Sequence, residues 1–232
     1  MPAMSVDLHG ISSMATRLVL AELAAAWQAR SGVSVTIESV GGVDAAKRVQ
    51  AGEALDVAFL ASDAIDKLAA TGAVLAASRV DLVRSSVAVA VPAGAPRPDI
   101  ASEAALKQAV LAAPTLGYST GPSGTALLKL FERWDITAQV QGRLVQAPAG
   151  IPVGSLVARG EVALGFQQLS ELMTLPGITV LGPMPEPVAI TTIFSGAVCA
   201  ASRQPDAVRA LLAFMNSADS AAAKRRHGMA PA

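Results

Sequence analysis

Apolar and polar positions along this chain alternate between two periods, and the switch between them recurs in a fixed order. Val33-Ser34-Val35-Thr36-Ile37 alternates with a period of two, as a half-buried strand does. Leu20, Leu23 and Trp27 recur at helical spacing and give one apolar face to a helix that runs to about Arg30. Val6-Asp7-Leu8 reads as a first strand ending at His9-Gly10-Ile11-Ser12-Ser13, and Ser31-Gly32 stops the first helix. Gly41-Gly42 then opens a helix from about Val43 to Gln50. Asp56-Val57-Ala58-Phe59-Leu60-Ala61 is almost wholly apolar, as in parallel strands covered on both faces, and Ser62-Asp63 caps a helix to about Ala70. The first eighty residues therefore predict βαβαβα.

The same alternation continues, framed by two longer β-rich runs. The first spans Val80 to Val91 and is interrupted by Arg84-Ser85-Ser86; the second spans Val188 to Ala200. Between them the pattern predicts a helix over 102–112 and a short strand at Thr115-Leu116-Gly117-Tyr118. A helix follows with Leu127, Leu130, Phe131 and Trp134 on one face, then a strand over 142–146, a short helix through Val157, and strands over 162–166 and 178–181. Helices from Pro205 to about Asn216 and from Ser220 to Arg226 close the chain. Strands alternating with helices imply an α/β fold with parallel sheets. The two long runs read as paired crossings between two Rossmann-like lobes, residues 1–83 plus 193–232 and residues 84–192. Open α/β sheets place ligands at the carboxyl ends of their strands, so loops of both lobes are expected to face each other across a cleft.

Those strand ends carry glycines and hydroxyls. Ser12 and Ser13, the Gly41-Gly42 pair, and Ser123-Gly124-Thr125 each stand where a strand gives way to a helix. Free N–H groups of a first helical turn, the positive end of the helix dipole and nearby hydroxyls can hold an oxyanion or carboxylate without any lysine. One such loop would be an ordinary N-cap; the repetition points to an anion site. Arg84, within the first crossing run, is suited to clamp a carboxylate bidentately, the plain alternative being a surface or interlobe ion pair. His9, beside the first loop, is suited to carry a proton near neutral pH, the plain alternative being a hydrogen-bonded wall. His227, next to Lys224-Arg225-Arg226, reads as solvated.

Composition removes several classes. Eighteen basic and eighteen acidic residues balance, with no basic cluster before Lys224, which gives no support to nucleic-acid binding or an anionic membrane. No apolar run approaches the length of a membrane span. The single Cys199 sits in an apolar run and reads as a buried small hydrophobe. There is no nucleophile-elbow motif, no His-x-x-x-His and no cysteine pair, so no catalytic triad, metal or cofactor is expected. Met1-Pro2-Ala3-Met4-Ser5 lacks the basic and apolar regions of a secretory signal, which implies a cytoplasmic chain or a mature form with its signal removed.

At the level of motifs the chain resembles, over nearly its whole length, the molybdate-binding-protein-like branch of the type II periplasmic solute-binding proteins. The residues that carry this are Ser12-Ser13-Met14, Arg48-Val49-Gln50-Ala51-Gly52-Glu53-Ala54-Leu55-Asp56-Val57, Ser123-Gly124-Thr125, Gly165-Phe166-Gln167-Gln168-Leu169-Ser170-Glu171-Leu172 and the closing His227-Gly228-Met229-Ala230-Pro231-Ala232. The resemblance implies the type II periplasmic-binding-protein architecture, a monomer outside the cytoplasm, a small anionic solute and an ABC-transporter membrane component as partner. In the molybdate binders, serines of the first two loops, backbone N–H groups of the second lobe and a tyrosine hold the anion. Here the second serine position falls at about Gly42, the second-lobe backbone position at Val153 and the tyrosine position at about Gln168. The glycine and glutamine count against molybdate. Gln167-Gln168 and Arg84-Ser85-Ser86 are similar instead to a sub-branch that includes aconitate isomerases, which implies isomerisation of a small unsaturated di- or tricarboxylate as the alternative, with His9 as its catalytic group.

Overall fold

The computed structural model describes residues 7–232. Val6 of the expected first strand and the Met1–Ser5 start lie outside the described residues. The chain forms two compact units, one of residues up to 84 together with 193–232, the other of residues 85–192.

In the first unit the order is β1 (Asp7–Ser13), α1 (Arg17–Ser31), β2 (Ser34–Val40), α2 (Gly42–Gln50), β3 (Val57–Ala61) and α3 (Ser62–Ala70), with a short 3-10 turn before α1. The long strand β4 (Val80–Pro92) begins here and carries the chain into the second unit. β1 pairs in parallel with β2, from Asp7↔Ser34 to Ser13↔Val40, and in parallel with β3 on its other side. The alternate residues of β3 explain its unbroken apolar run. Val57 and Phe59 pack with Leu8 and with Val19, Leu20 and Leu23 of α1, while Ala58 and Leu60 pack with Ile11, with Ala45 and Val49 of α2 and with Ile65 and Leu68 of α3. Both faces are therefore covered, as a parallel sheet requires.

The second unit continues with α4 (Glu103–Ala112), β5 (Leu116–Tyr118), α5 (Pro122–Arg133), α6 (Thr137–Val140), β6 (Leu144–Gln146), α7 (Val153–Ala158), β7 (Leu164–Gln168), α8 (Leu169–Leu172) and β8 (Ile178–Pro183). β5 pairs in parallel with β6 and β7, whereas β4 runs antiparallel between β7 and β8. The expected helix face is realised: Leu127, Leu130, Phe131 and Trp134 are buried with Val87, Val89, Leu116, Leu164 and Phe166. β9 (Thr191–Val198) returns the chain to the first unit, antiparallel to β3, and α9 (Pro205–Met215), α10 (Ala221–Arg226) and β10 (Met229–Pro231) complete it. This is a mixed α/β fold, as the alternation of strands and helices implies.

Several expectations are corrected. The sheets are not all parallel, because β4 and β9 each run against a strand of the sheet they join. β1 does not end at His9 but continues through Ser13; a Cβ on Gly10 would lie 2.8 Å from Val57 Cγ1, so a side-chain-free residue lets β1 sit closely against β3. β4 is not interrupted at Arg84-Ser85-Ser86: the polar residues follow the strand period, Arg84 exposed and Ser85 buried. β7 lies two residues later than its apolar run and includes Gln167 and Gln168. Ser62 does not cap α3; its hydroxyl lies 3.0 Å from the Ile193 carbonyl oxygen and 2.7 Å from Ser195 Oγ instead. Among the described residues no helix is long and apolar enough to cross a membrane.

Phe131 is 1% exposed, with ring centroids 6.2 Å from Trp134 and 6.5 Å from Phe166. Phe131→Ala should cost about 3–5 kcal/mol in urea unfolding, since the cavity left beside the Trp134 and Phe166 rings cannot collapse fully.

Candidate functional site

Each unit presents its own set of polar groups at the carboxyl ends of its parallel strands. In the first unit, register puts Ser12 opposite Ser39, and their hydroxyls are 2.7 Å apart; Ser12 Oγ also donates to the Ser13 carbonyl oxygen at 3.2 Å. Ser12 is thus occupied within the protein. Ser13 is not: it is 8% exposed and its Oγ is buried without a hydrogen-bond partner. Gly42, the first residue of α2, stands beside it, since a Cβ built there would lie 3.6 Å from Ser13 Cβ. The preceding Gly41 offers no side chain to cap α2, so the first-turn N–H groups and the Ser13 hydroxyl form one donor corner with no cation in it. Ser195 Oγ, next to Ser62, donates to Asp81 Oδ1 at 2.6 Å, a polar chain that ends on a carboxylate.

His9 is not part of this corner. It is the third residue of a strand whose carboxyl end is Ser13, and at about 3.3 Å per residue the two are separated by roughly 13 Å along β1. Its side chain is exposed, and its backbone is pinned by Asp56, which accepts the His9 N–H at 2.9 Å and whose own N–H donates to the His9 carbonyl. Arg84 is exposed and its Nε donates to the Pro231 carbonyl oxygen at 3.2 Å; among the described residues it has no carboxylate partner. The ion-pair alternative for Arg84 is therefore not realised, and its terminal nitrogens stay uncommitted. His227 is not solvated: its Nε2 is 2.8 Å from Glu22 Oε2, and Arg226 and His227 together hold the Glu22 carboxyl below its ordinary range. Lys224 is buried at 1% exposure, which lowers its affinity for a proton. Cys199 is buried, and burial pushes its thiol up to about 12, so it is inert.

In the second unit the loop after β5 lies on the first turn of α5. Ser119 and Ser123 hydroxyls are 3.1 Å apart, and a Cβ on Gly124 would fall 1.9 Å from the Ser119 carbonyl oxygen, so only glycine fits there. Gly124 and Thr125 both spend their N–H on the Gly121 carbonyl, at 3.1 and 3.2 Å, and Pro122 has none. Thr125 is moreover exposed, so of the expected trio Ser123, which is buried, keeps its N–H for other partners and Thr125 is not brought in. The Val153 side chain is fully buried over Gly117 and Gly165, and only its N–H is available at the start of α7. The next two N–H groups go to Gln167 Oε1 at 3.0 Å and to the Pro152 carbonyl at 3.0 Å.

Gln167 and Gln168 end β7 on opposite faces. With Oε1 fixed by Gly154, Gln167 turns its Nε2 to Glu171 Oε1 at 2.8 Å. Glu171 is half-buried, and burial pushes its carboxyl up to about 7, against the opposing effect of the Gln167 hydrogen bond. Gln168 is 4% exposed; its Nε2 donates to Thr192 Oγ1 at 2.9 Å and its Oε1 is buried without a partner. Ser85 Oγ is likewise buried and unpartnered. Sequence reading passed over Ser39, Ser85, Glu171 and Thr192 as site residues. Its one usable signal was that polar residues stand at strand positions where the period demands burial.

Residues 8–230 match the model of the bacterial extracellular solute-binding proteins. The chain belongs to that family. A curated relative is an aconitate isomerase of a Pseudomonas species, 41% identical over 216 residues that cover 90% of this chain and 82% of the relative. Among solved structures, the periplasmic molybdate-binding protein of Azotobacter vinelandii aligns over 96% of this chain and 98% of its own at 18% identity, with a TM-score of 0.80. The sulfate-binding protein SubI of Mycobacterium tuberculosis aligns over 97% of this chain and 87% of its own at 16% identity, with a TM-score of 0.81. These structures share the family fold of this solute-binding protein.

The geometry gives this family member two checks. Gly124→Ala should destabilise it by about 1–3 kcal/mol in urea unfolding, because the loop carrying Ser119 must move to admit a methyl group. Glu171 retains a proton in the folded chain at pH values between its ordinary 4.5 and about 7, where the unfolded chain has lost it. Stability therefore falls as pH rises through that window. Glu171→Gln should match the unmutated protein near pH 4 and exceed it by about 2 kcal/mol at pH 8, read from urea midpoints at both pH values.

Proposed function

We propose that this protein captures a small organic anion bearing carboxylate groups and, as a solute-binding component, delivers it to an ABC transporter from outside the cytoplasm. The observation that carries this reading is the Ser13 corner, where a buried hydroxyl without a partner stands beside the uncapped start of α2. Such a group costs about 1–3 kcal/mol when left unpaired, and an anion restores its hydrogen bond while also meeting the helix N–H groups. The second unit has neutral donors of its own in Ser123, the Val153 N–H and Gln168, and Arg84 with its free terminal nitrogens favours a carboxylate over a tetrahedral oxyanion. Ser12 acts indirectly, holding the strand end through Ser39.

A second reading is supported by the 41% identical aconitate isomerase. In it the bound acid loses a proton from one carbon and regains one at another, so a group that exchanges protons near pH 7 is required. His9 is too far from the strand ends for that role, and Glu171 takes its place, with Gln167 orienting the carboxyl. Negative charge spreading into the substrate carboxyl in the transition state would be met by the same neutral donors that bind the ground state.

One experiment separates the readings. Thermal shifts with cis-aconitate, trans-aconitate, citrate, sulfate and molybdate should show stabilisation by the organic acids, and proton NMR of each aconitate with protein in D2O reads interconversion and deuterium uptake. Binding without interconversion leaves the capture function alone. Interconversion that is lost in Glu171→Gln while binding persists establishes the isomerase. Stabilisation by molybdate or sulfate with no response to organic acids overturns the carboxylate preference.

A further inference from the structure

Ser85 stands on β4 two residues before Val87, and Val87 is paired directly with Gln168 of β7. Residues two apart on a strand share a face, so Ser85, Val87 and Gln168 point to the same side of the second unit's sheet, Ser85 diagonal to Gln168. Both end in a buried polar atom without a partner, Ser85 Oγ and Gln168 Oε1, at 0% and 4% exposure respectively. Thr192 adjoins Gln168 through the 2.9 Å bond to Nε2. A hydroxyl both donates and accepts, so Thr192 fits the Gln168 amide in either orientation, and turning the amide over would present its N–H hydrogens on the side now occupied by Oε1. An alanine at position 85 and an apolar residue at position 168 would fill the same space with no unpaired group, which makes two orphans on one face a cost that the fold itself does not repay.

We propose that Ser85 is a solute-binding residue, its hydroxyl and the Gln168 amide together donating to one carboxylate oxygen of the captured organic anion. This rests on the capture reading above and extends it to a residue of β4. The hydroxyl supplies one donor and the amide the other, enough to take both lone pairs of a single oxygen, while Thr192 holds the amide in the donating orientation. Two neutral donors bind the ionised form of a carboxyl without the desolvation cost of a second buried charge.

The test compares Ser85→Ala with the unmutated protein by urea unfolding without solute and by titration calorimetry with cis-aconitate, trans-aconitate and citrate. Ser86→Ala, on the opposite face of β4, serves as control. The expected result is unchanged or increased stability of Ser85→Ala, affinity for the best organic acid lowered at least about tenfold, and unchanged affinity in Ser86→Ala. Gln168→Met should lose affinity comparably, and combining it with Ser85→Ala should lose less than the product of the two single effects, because both donors serve one oxygen. An organic acid bound equally by Ser85→Ala and the unmutated protein overturns the assignment while leaving the capture reading intact. A marked loss of stability in Ser85→Ala without solute also overturns it, since the hydroxyl is then structural. If the unmutated protein binds none of the three acids, the capture reading fails and this assignment falls with it.

Discussion

Parallel pairing is the constraint on which the chemistry of this protein depends. When β1 pairs in parallel with β2 and β3, and β5 with β6 and β7, the carboxyl ends of those strands come to one end of each sheet and the helix that follows each strand starts there. A helix start is a group of N–H donors with no partners inside the helix. Parallel topology therefore assembles donors from residues distant in sequence, such as Ser13 and Gly42, without spending a charged side chain.

Which donors remain free is decided by local competition for hydrogen bonds. Gly121 takes the N–H groups of Gly124 and Thr125, Gln167 takes that of Gly154, and Ser39 takes the Ser12 hydroxyl. Among the described residues the buried groups left over are Ser13 and the Trp27 indole N–H in the first unit and Ser85 and Gln168 in the second, of which Trp27 lies on α1 against Phe214, away from the strand ends. In a fold that otherwise satisfies its buried polar atoms, such exceptions are informative, because each one costs stability that an apolar residue would not. The same reasoning separates Asp56 from the site: its carboxylate, buried at the far end of β1, is consumed by the His9 N–H and the Ser202 hydroxyl and serves to close the strand end.

Electrostatics in the second unit follow burial more than charge pairing. Glu171 titrates close to neutrality because burial disfavours its charged form, and the neutral Gln167 is its hydrogen-bond partner. Arg84, in the first unit, is the reverse case, an exposed guanidinium held by a single backbone carbonyl with its terminal nitrogens uncommitted. The proposed preference for a small organic acid rests on such neutral donors and on the open guanidinium of Arg84.

The α/β class, the order of elements and the apolar faces were legible in the sequence, because each is set by local periodicity: Val57–Ala61 had to be covered on both sides, and Leu127, Leu130, Phe131 and Trp134 had to share a face. The glycine and hydroxyl strand ends were legible too, as residues that start helices. What sequence alone could not fix was extent and direction. β1 runs on through Ser13 because Gly10 admits Val57, a contact 47 residues away, and that extension is what separates His9 from the Ser13 strand end. The antiparallel placement of β4 and β9, the pairing of Ser12 with Ser39, and the burial of Ser85, Glu171 and Lys224 likewise come from neighbours remote in the chain. Periodicity is a property of adjacent residues, whereas a hydrogen-bond partner or a lost water is a property of whatever the fold brings alongside, and only the tertiary structure decides that.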